Sequence, residues 1–319
     1  MSVQLAESMR RISGLLQAGE YGAAHAQLQS LVAANPNYLE GLRLLAGTKQ
    51  ALGDTAQAES LLRRALEIDP ASPPTLTTLA ELLLVSGRRA EAVPLLQRAV
   101  QGAPPYPRAA LILVRHYLEA GQPALALEAA AAWCNSGQAD MDLAALHVAA
   151  YAALGRQGEA VAHYRRLVAR APDNPVATHT LAVALHAAHQ PEEAERVARQ
   201  TLKRTQPTAA LHHTHARSLL SLERFEEAEV ALHECVRLDP RRAEAHDRLA
   251  ELIWMRTGDI LEATRSLDRA LEKLPHDDAL RATKAALLQG AGDARGAFAC
   301  LAERAVQPQS HPSLLIRAG

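Results

Sequence analysis

Apolar residues along this chain recur at spacings of three and four, the period of one face of an α-helix. Ala58, Leu61, Leu62, Ala65 and Leu66 form one such run, and Leu42, Leu45, Ala46 and Leu52 form another. Polar breaks separate the runs, and the breaks are themselves periodic. Glycine stands at Gly19, Gly53, Gly87, Gly121 and Gly155, each 34 residues after the last. The register continues through His189 and Glu223, and after a one-residue insertion through Gly258 and Gly292. Five residues beyond each mark lies an alanine: Ala24, Ala58, Ala92, Ala126, Ala160, Ala194, Ala228, Ala263 and Ala297. Seventeen residues beyond it proline recurs, at Pro36, Pro70, Pro104, Pro172, Pro240 and Pro275, with Gln138, Gln206 and Gln309 in the fourth, sixth and ninth repeats.

Each recurring residue has a physical reason. Glycine reaches the left-handed conformation that ends one helix and turns tightly into the next. The alanine is small because two helices must cross closely there. A second small position, seven residues before the mark (eight in the repeat with the insertion), holds Ala46, Ala80, Ala182, Ala216, Ala250 and Ala285. Proline stops the second helix and sets up the next repeat. The pattern predicts nine antiparallel helix pairs, none able to bury its apolar face alone.

Strings such as Gly53-Asp-Thr-Ala-Gln-Ala58, Gly87-Arg-Arg-Ala-Glu-Ala92 and Ala65-Leu-Glu-Ile-Asp-Pro70 resemble the tetratricopeptide repeat family. The resemblance implies an all-α, right-handed superhelical solenoid. Its repeats would span 5–38, 39–72, 73–106, 107–140, 141–174, 175–208, 209–242, 243–277 and 278–311 of a single array over 1–319. The fourth repeat departs from the family pattern, closing with Trp133-Cys-Asn-Ser-Gly137. After Pro312 the chain reads as the start of a further helix, 312–319. Solenoids need a polar cap, and Leu287, Leu288, Phe298 and Leu301 are expected to lack cover. We read this as a polypeptide continuing beyond Gly319; the alternatives are that a short last helix suffices or that the face packs on a partner.

Composition narrows the function. The chain is 48% hydrophobic but only 3% aromatic, and its 34 basic residues nearly cancel 35 acidic ones. A nucleic-acid binder needs a basic excess, and a single-strand binder also needs stacking rings; both are missing. Cys134, Cys235 and Cys300 are too few and too scattered for a disulfide framework, and read as small buried hydrophobes in a reducing compartment. No signal peptide or membrane-spanning stretch is legible. The expectation is a cytoplasmic protein, bacterial in origin.

Phosphate loops, dinucleotide fingerprints, nucleophile elbows and zinc-protease motifs are absent from the sequence. No catalytic residue, metal or cofactor is assigned. His276-Asp277-Asp278 mimics a metal pair, but Asp there is a good helix cap. His179 and His186 lie seven apart on one helix face, and His213 repeats His179 after 34 residues. A metal trio is conceivable, but partly exposed groove histidines are the favoured reading. His212 and His215 are expected inside.

In the family, ligand contacts come from the second, fifth, ninth and twelfth positions of each first helix, lining a concave groove. Carried over, these are Arg43, Glu81, Arg108, Arg115, His179, His186, His213, Arg217, Asp247, Glu251 and Trp254. The set mixes both charges with an aromatic anchor, as a peptide-binding surface would. The family's clamp for chaperone carboxy-termini needs Lys and Asn at two of these positions. Here they hold Met9 and Ser13, Arg43 and Gly47, Thr77 and Glu81, so that clamp is absent. Leu252-Ile-Trp-Met-Arg-Thr-Gly-Asp259 resembles a stretch in bacterial proteins where such repeats precede a 2-oxoglutarate/Fe(II) oxygenase domain. The primary expectation is a non-catalytic scaffold, the recognition module of a larger protein. The alternatives are the substrate-recruiting part of such an oxygenase, and a self-associating array.

Overall fold

The computed structural model describes residues 3–102, 106–136, 139–275 and 277–305. Pro104, Gly137, Gln138, His276, Gln309 and the helix expected at 312–319 lie outside them. Eighteen α-helices and no strand occur among the described residues. In chain order the first nine are α1 (Val3–Gln17), α2 (Tyr21–Ala34), α3 (Leu39–Ala51), α4 (Thr55–Ile68), α5 (Pro73–Val85), α6 (Arg89–Gln101), α7 (Pro107–Glu119), α8 (Pro123–Ser136) and α9 (Met141–Ala153). The second nine are α10 (Gln157–Arg170), α11 (Pro175–Ala187), α12 (Pro191–Arg204), α13 (Ala209–Ser221), α14 (Phe225–Leu238), α15 (Ala243–Thr257), α16 (Ile260–Lys273), α17 (Asp278–Gly290) and α18 (Ala294–Ala305).

The chain divides into two compact units, Met1–Ala150 and Tyr151–Gly319. In the first, every helix from α1 to α7 packs on its successor, and the first helices α3, α5 and α7 also lie side by side. In the second, α10 to α18 stack likewise, with α11 against α13 and α15 against α17. Each unit is therefore an all-α stack of helix pairs.

Alanine is what brings the helices together. Eight of the nine recurring alanines are 0% exposed and Ala297 is 8% exposed. The alanines of the second small position are equally enclosed. Ile12, Val114 and Val148 occupy that position in three other pairs and are buried as well. Leucine fills the remaining space, as Leu28, Leu62, Leu96, Leu219 and Leu232 show. Cys134 and Cys235 are buried and outside any disulfide, whereas Cys300 is half-buried.

The turns repeat one hydrogen-bonded form. After α3, the Gly53 amide donates to Gln50 and the Asp54 amide to Lys49, with Gly53 at φ +86°. This pairing satisfies carbonyls that the helix end would otherwise leave open. His189 and Glu223 make the same turn at φ +56°, donating to His186 and Leu220. There an L side chain adopts the left-handed backbone, a strained state. The turn after α15 differs: Gly258 donates to Trp254, and the Asp259 amide bonds the Thr257 hydroxyl instead of a carbonyl. That is where the inserted residue is absorbed, in a first helix of 15 residues rather than 13.

Ion pairs recur with the repeat. Glu59 on α4 meets Arg88 at 2.8 Å, and Arg88 also grips Glu91. At the equivalent places Glu195 on α12 meets Arg224, which grips Glu227. Glu229 would look for its partner one residue past Gly258, but Asp259 stands there, and Arg256 substitutes at 2.9 Å.

The expectation of an uncovered end is corrected for two of its residues. Leu287 and Leu301 are 4% and 3% exposed, because α17 and α18 close over them; Phe298 is 56% exposed. No described helix is long and apolar enough to cross a membrane.

Replacing both His189 and Glu223 with Gly removes the strain at two turns and stabilises the fold by about 0.5–1 kcal/mol per site. Urea denaturation of the chain reads this as a higher midpoint. An unchanged or lower midpoint contradicts the strain.

Candidate functional site

The residues predicted to line the groove all lie on first helices, but they differ in what is left to offer a ligand. In the first compact unit, Arg43 is occupied by Glu40 of its own helix, at 2.6 Å. Glu81 on α5 and Arg108 on α7 pair with each other at 2.8 Å, tying adjacent first helices. Arg115, further along α7, is exposed and has no ion-pair partner among the described residues.

In the second unit, His179 on α11 is 5% exposed and His213 on α13 is 8% exposed, correcting the expectation of partly exposed rings. The Nε2 of His179 lies 3.2 Å from the Ala210 carbonyl and 2.9 Å from the Thr214 hydroxyl. A carbonyl can only accept, so Nε2 carries the proton and Nδ1 is left bare and buried without a partner. Burial holds both imidazoles down at about 4, further depressed by the charge of Arg242. They are therefore neutral structural groups at pH 7. His186 is half-buried, its pKa lowered first by burial and then by Arg217 and His189. His212 and His215, expected inside, are likewise half-buried, and His215 faces Glu195 at 3.4 Å. Among the described residues no three His, Cys, Asp or Glu side chains gather as a metal site. Asp277 caps α17 by accepting the Leu280 amide at 3.0 Å.

Arg217 on α13 is exposed and lacks an ion-pair partner among the described residues. Asp247 on α15 is half-buried; burial raises its carboxyl to about 6, against a bond from Thr283. Glu251 is taken by Arg248 at 2.8 Å. Trp254, expected as a free aromatic anchor, packs on the apolar core of α13 to α17. A Cβ built on Gly290 of α17 would stand 2.8 Å from its ring edge. The ring thus wedges α15 against α17, and only part of it faces out.

Two residues here escape a reading by helix position. Arg242 precedes α15 and so has no place in the first-helix count. Arg248 is the sixth residue of α15, between two of the counted positions. Only the basic character of Arg241-Arg242 and Arg248 in the sequence hints at them.

Family models described as tetratricopeptide repeat match residues 15–82, 50–207 and 213–278. No curated protein sequence matches. Among solved structures, the chain is similar to a tetratricopeptide repeat protein from Parabacteroides merdae, with 14% identity and a TM-score of 0.54. That match covers 79% of this chain and all of the other, and at such identity it bears on the fold alone. Weaker likenesses are to Naa15/Naa10 bound to HypK (TM-score 0.43, 17% identity) and to the Cut9–Hcn1 hetero-tetramer of APC/C (0.48, 15%). Those two matches cover 99% and 88% of this chain, but only 48% and 55% of the matched chains.

The buried imidazoles give stability a pH dependence. Their folded pKa values lie below the unfolded value, so the stability they confer is present above pH 6.5 and lost as pH falls toward 4. Each ring should cost about 2 kcal/mol between pH 7 and pH 5. Asp247 works oppositely, its contribution fading as pH rises toward 6. Urea midpoints at both pH values should converge in His179→Gln/His213→Gln relative to wild type. An equal drop in both proteins contradicts neutral buried rings.

The Trp254 wedge generates a second expectation. Gly290→Ala should destabilise by about 1 kcal/mol, overcrowding outweighing the helix gain. In a Trp254→Leu background the same change should no longer destabilise, and thermal unfolding of the four proteins measures the coupling. Additive effects would place the ring elsewhere.

Proposed function

The chain belongs to the tetratricopeptide repeat family, and we propose that it is a protein- or peptide-binding scaffold. Such repeats generally mediate protein–protein interaction. Here recognition uses the first-helix face of each compact unit. The observation that carries this reading is the contrast between paired and unpaired arginines on those helices. Arg43 and Arg108 are committed to neighbouring carboxylates, whereas Arg115 and Arg217 are exposed residues with no ion-pair partner among the described residues, though burial still lowers the pKa of Arg217. A free fork can take a carboxylate or a row of carbonyls bidentately.

A ligand would then be held by a few charged contacts over an already folded surface, with no catalytic step. Trp254 supports the ligand site by fixing α17 beside α15, and lends only its outward edge to contact. Self-association through the last pair is disfavoured by the burial of Leu287 and Leu301.

Arg115→Ala/Arg217→Ala should lower the capture of specific partners at least about tenfold, since each charged hydrogen-bonding contact contributes roughly 1.5–3 kcal/mol. Quantitative affinity capture compares it with Arg166→Ala/Arg265→Ala, which removes two exposed arginines from second helices α10 and α16. Equal capture by both variants overturns the groove assignment.

A further inference from the structure

The second compact unit gathers three arginines around one buried imidazole. Arg217 of α13, Arg242 just before α15 and Arg248 of α15 all lie near enough to His213 for their charge to act on its ring. At Arg217 burial acts first, then the charge of Glu244, then the opposing charge of Arg248, so the repulsion between the two arginines is partly offset. The compensation by neighbouring acids is thin. Glu251 pairs with Arg248, and Glu244 reaches His213 only at 3.9 Å from a side chain that is 72% exposed. Arg217 and Arg242 have no carboxylate within ion-pair distance among the described residues.

A second observation points the same way. The Nε of Arg242 is shut off from solvent and has no hydrogen-bond acceptor. An enclosed guanidinium donor left open costs stability unless something accepts from it. His179 and His213 supply no counter-charge, because both are neutral at pH 7, and neither ring lies within hydrogen-bond distance of the Arg242 Nε. Elsewhere in this unit arginines find glutamates readily: Arg165 with Glu193, Arg237 with Glu234, Arg256 with Glu229. The lack of an ion-pair partner at Arg217 and Arg242 is thus a local arrangement and not a general shortage of acid.

We propose that Arg217 and Arg242 form a subsite for side-chain carboxylates of an acidic polypeptide segment, with Arg248, held by Glu251, adding its charge beside them. This subsite rests on the groove reading and names the chemistry of its ligand. Planar forks match carboxylates two bonds at a time. A nucleic-acid backbone fits poorly, because Glu244, Asp247 and Glu251 border the cluster and would repel a continuous row of phosphates. Separated carboxylates can instead sit on the arginines, leaving the bordering acids to neutral or basic residues of the same segment.

A displayed library of random 12-residue peptides, selected on the full chain, tests this directly. Wild type should enrich Asp and Glu at least about threefold over the input. Arg217→Gln/Arg248→Glu should abolish that enrichment, while Arg265→Ala on α16 should preserve it. Circular dichroism confirms that each variant is folded, and Arg217→Gln alone serves if the double variant is not. Wild-type selections without acidic enrichment, or an unchanged preference in the arginine variant, overturn the subsite. Selected peptides that are not acidic but are lost on Arg115→Ala/Arg217→Ala would overturn the subsite and leave the groove standing. Peptides indifferent to every first-helix change would remove both.

Discussion

The fold depends on how closely its helices cross at alanine. A residue with no side chain beyond Cβ lets the second helix of a pair lie against its neighbours, and leucines close the remaining gaps. Nine positions in one register carry this constraint, and each is buried. A bulkier residue at one of them would push two helices apart and disturb the pairs on either side, since each pair contacts mainly its neighbours. The low aromatic content is the compositional trace of the same constraint: large rings have no place at close crossings. Tyr164, fully buried, is a rare exception.

Much of this was legible in the sequence. The 34-residue register located the helices, the turns and the buried alanines, because each position is fixed by local geometry that tolerates few residue types. His189 and Glu223 were legible as register marks, and their left-handed backbone shows that packing on both sides over-determines the turn. The inserted residue was legible too, but its outcome was not. Counting cannot tell whether a helix lengthens or a loop bulges; α15 lengthens, its turn loses a carbonyl bond, and Arg256 takes over the ion pair that Asp259 cannot make.

The candidate site was less legible. Helix position names one face of each first helix, but it could not say which side chains were already occupied. Arg43 and Arg108 look equivalent to Arg115 and Arg217 in sequence; only the structure shows Glu40 and Glu81 spending the former pair. His179 and His213 turned out buried, and the burial of His179 is set by the neighbouring repeat, where its ring meets Ala210 and Thr214. Trp254 moved from ligand anchor to structural wedge because a glycine 36 residues later leaves room for its ring.

Labour is divided between the two kinds of helix. Second helices carry recurring ion pairs that bind repeat to repeat, while first helices leave selected arginines open. Hydrogen–deuterium exchange of the chain with and without a captured partner tests that division most directly. Exchange should slow in the first helices α11, α13 and α15, with α12, α14 and α16 unchanged. Protection confined to the second helices would contradict it.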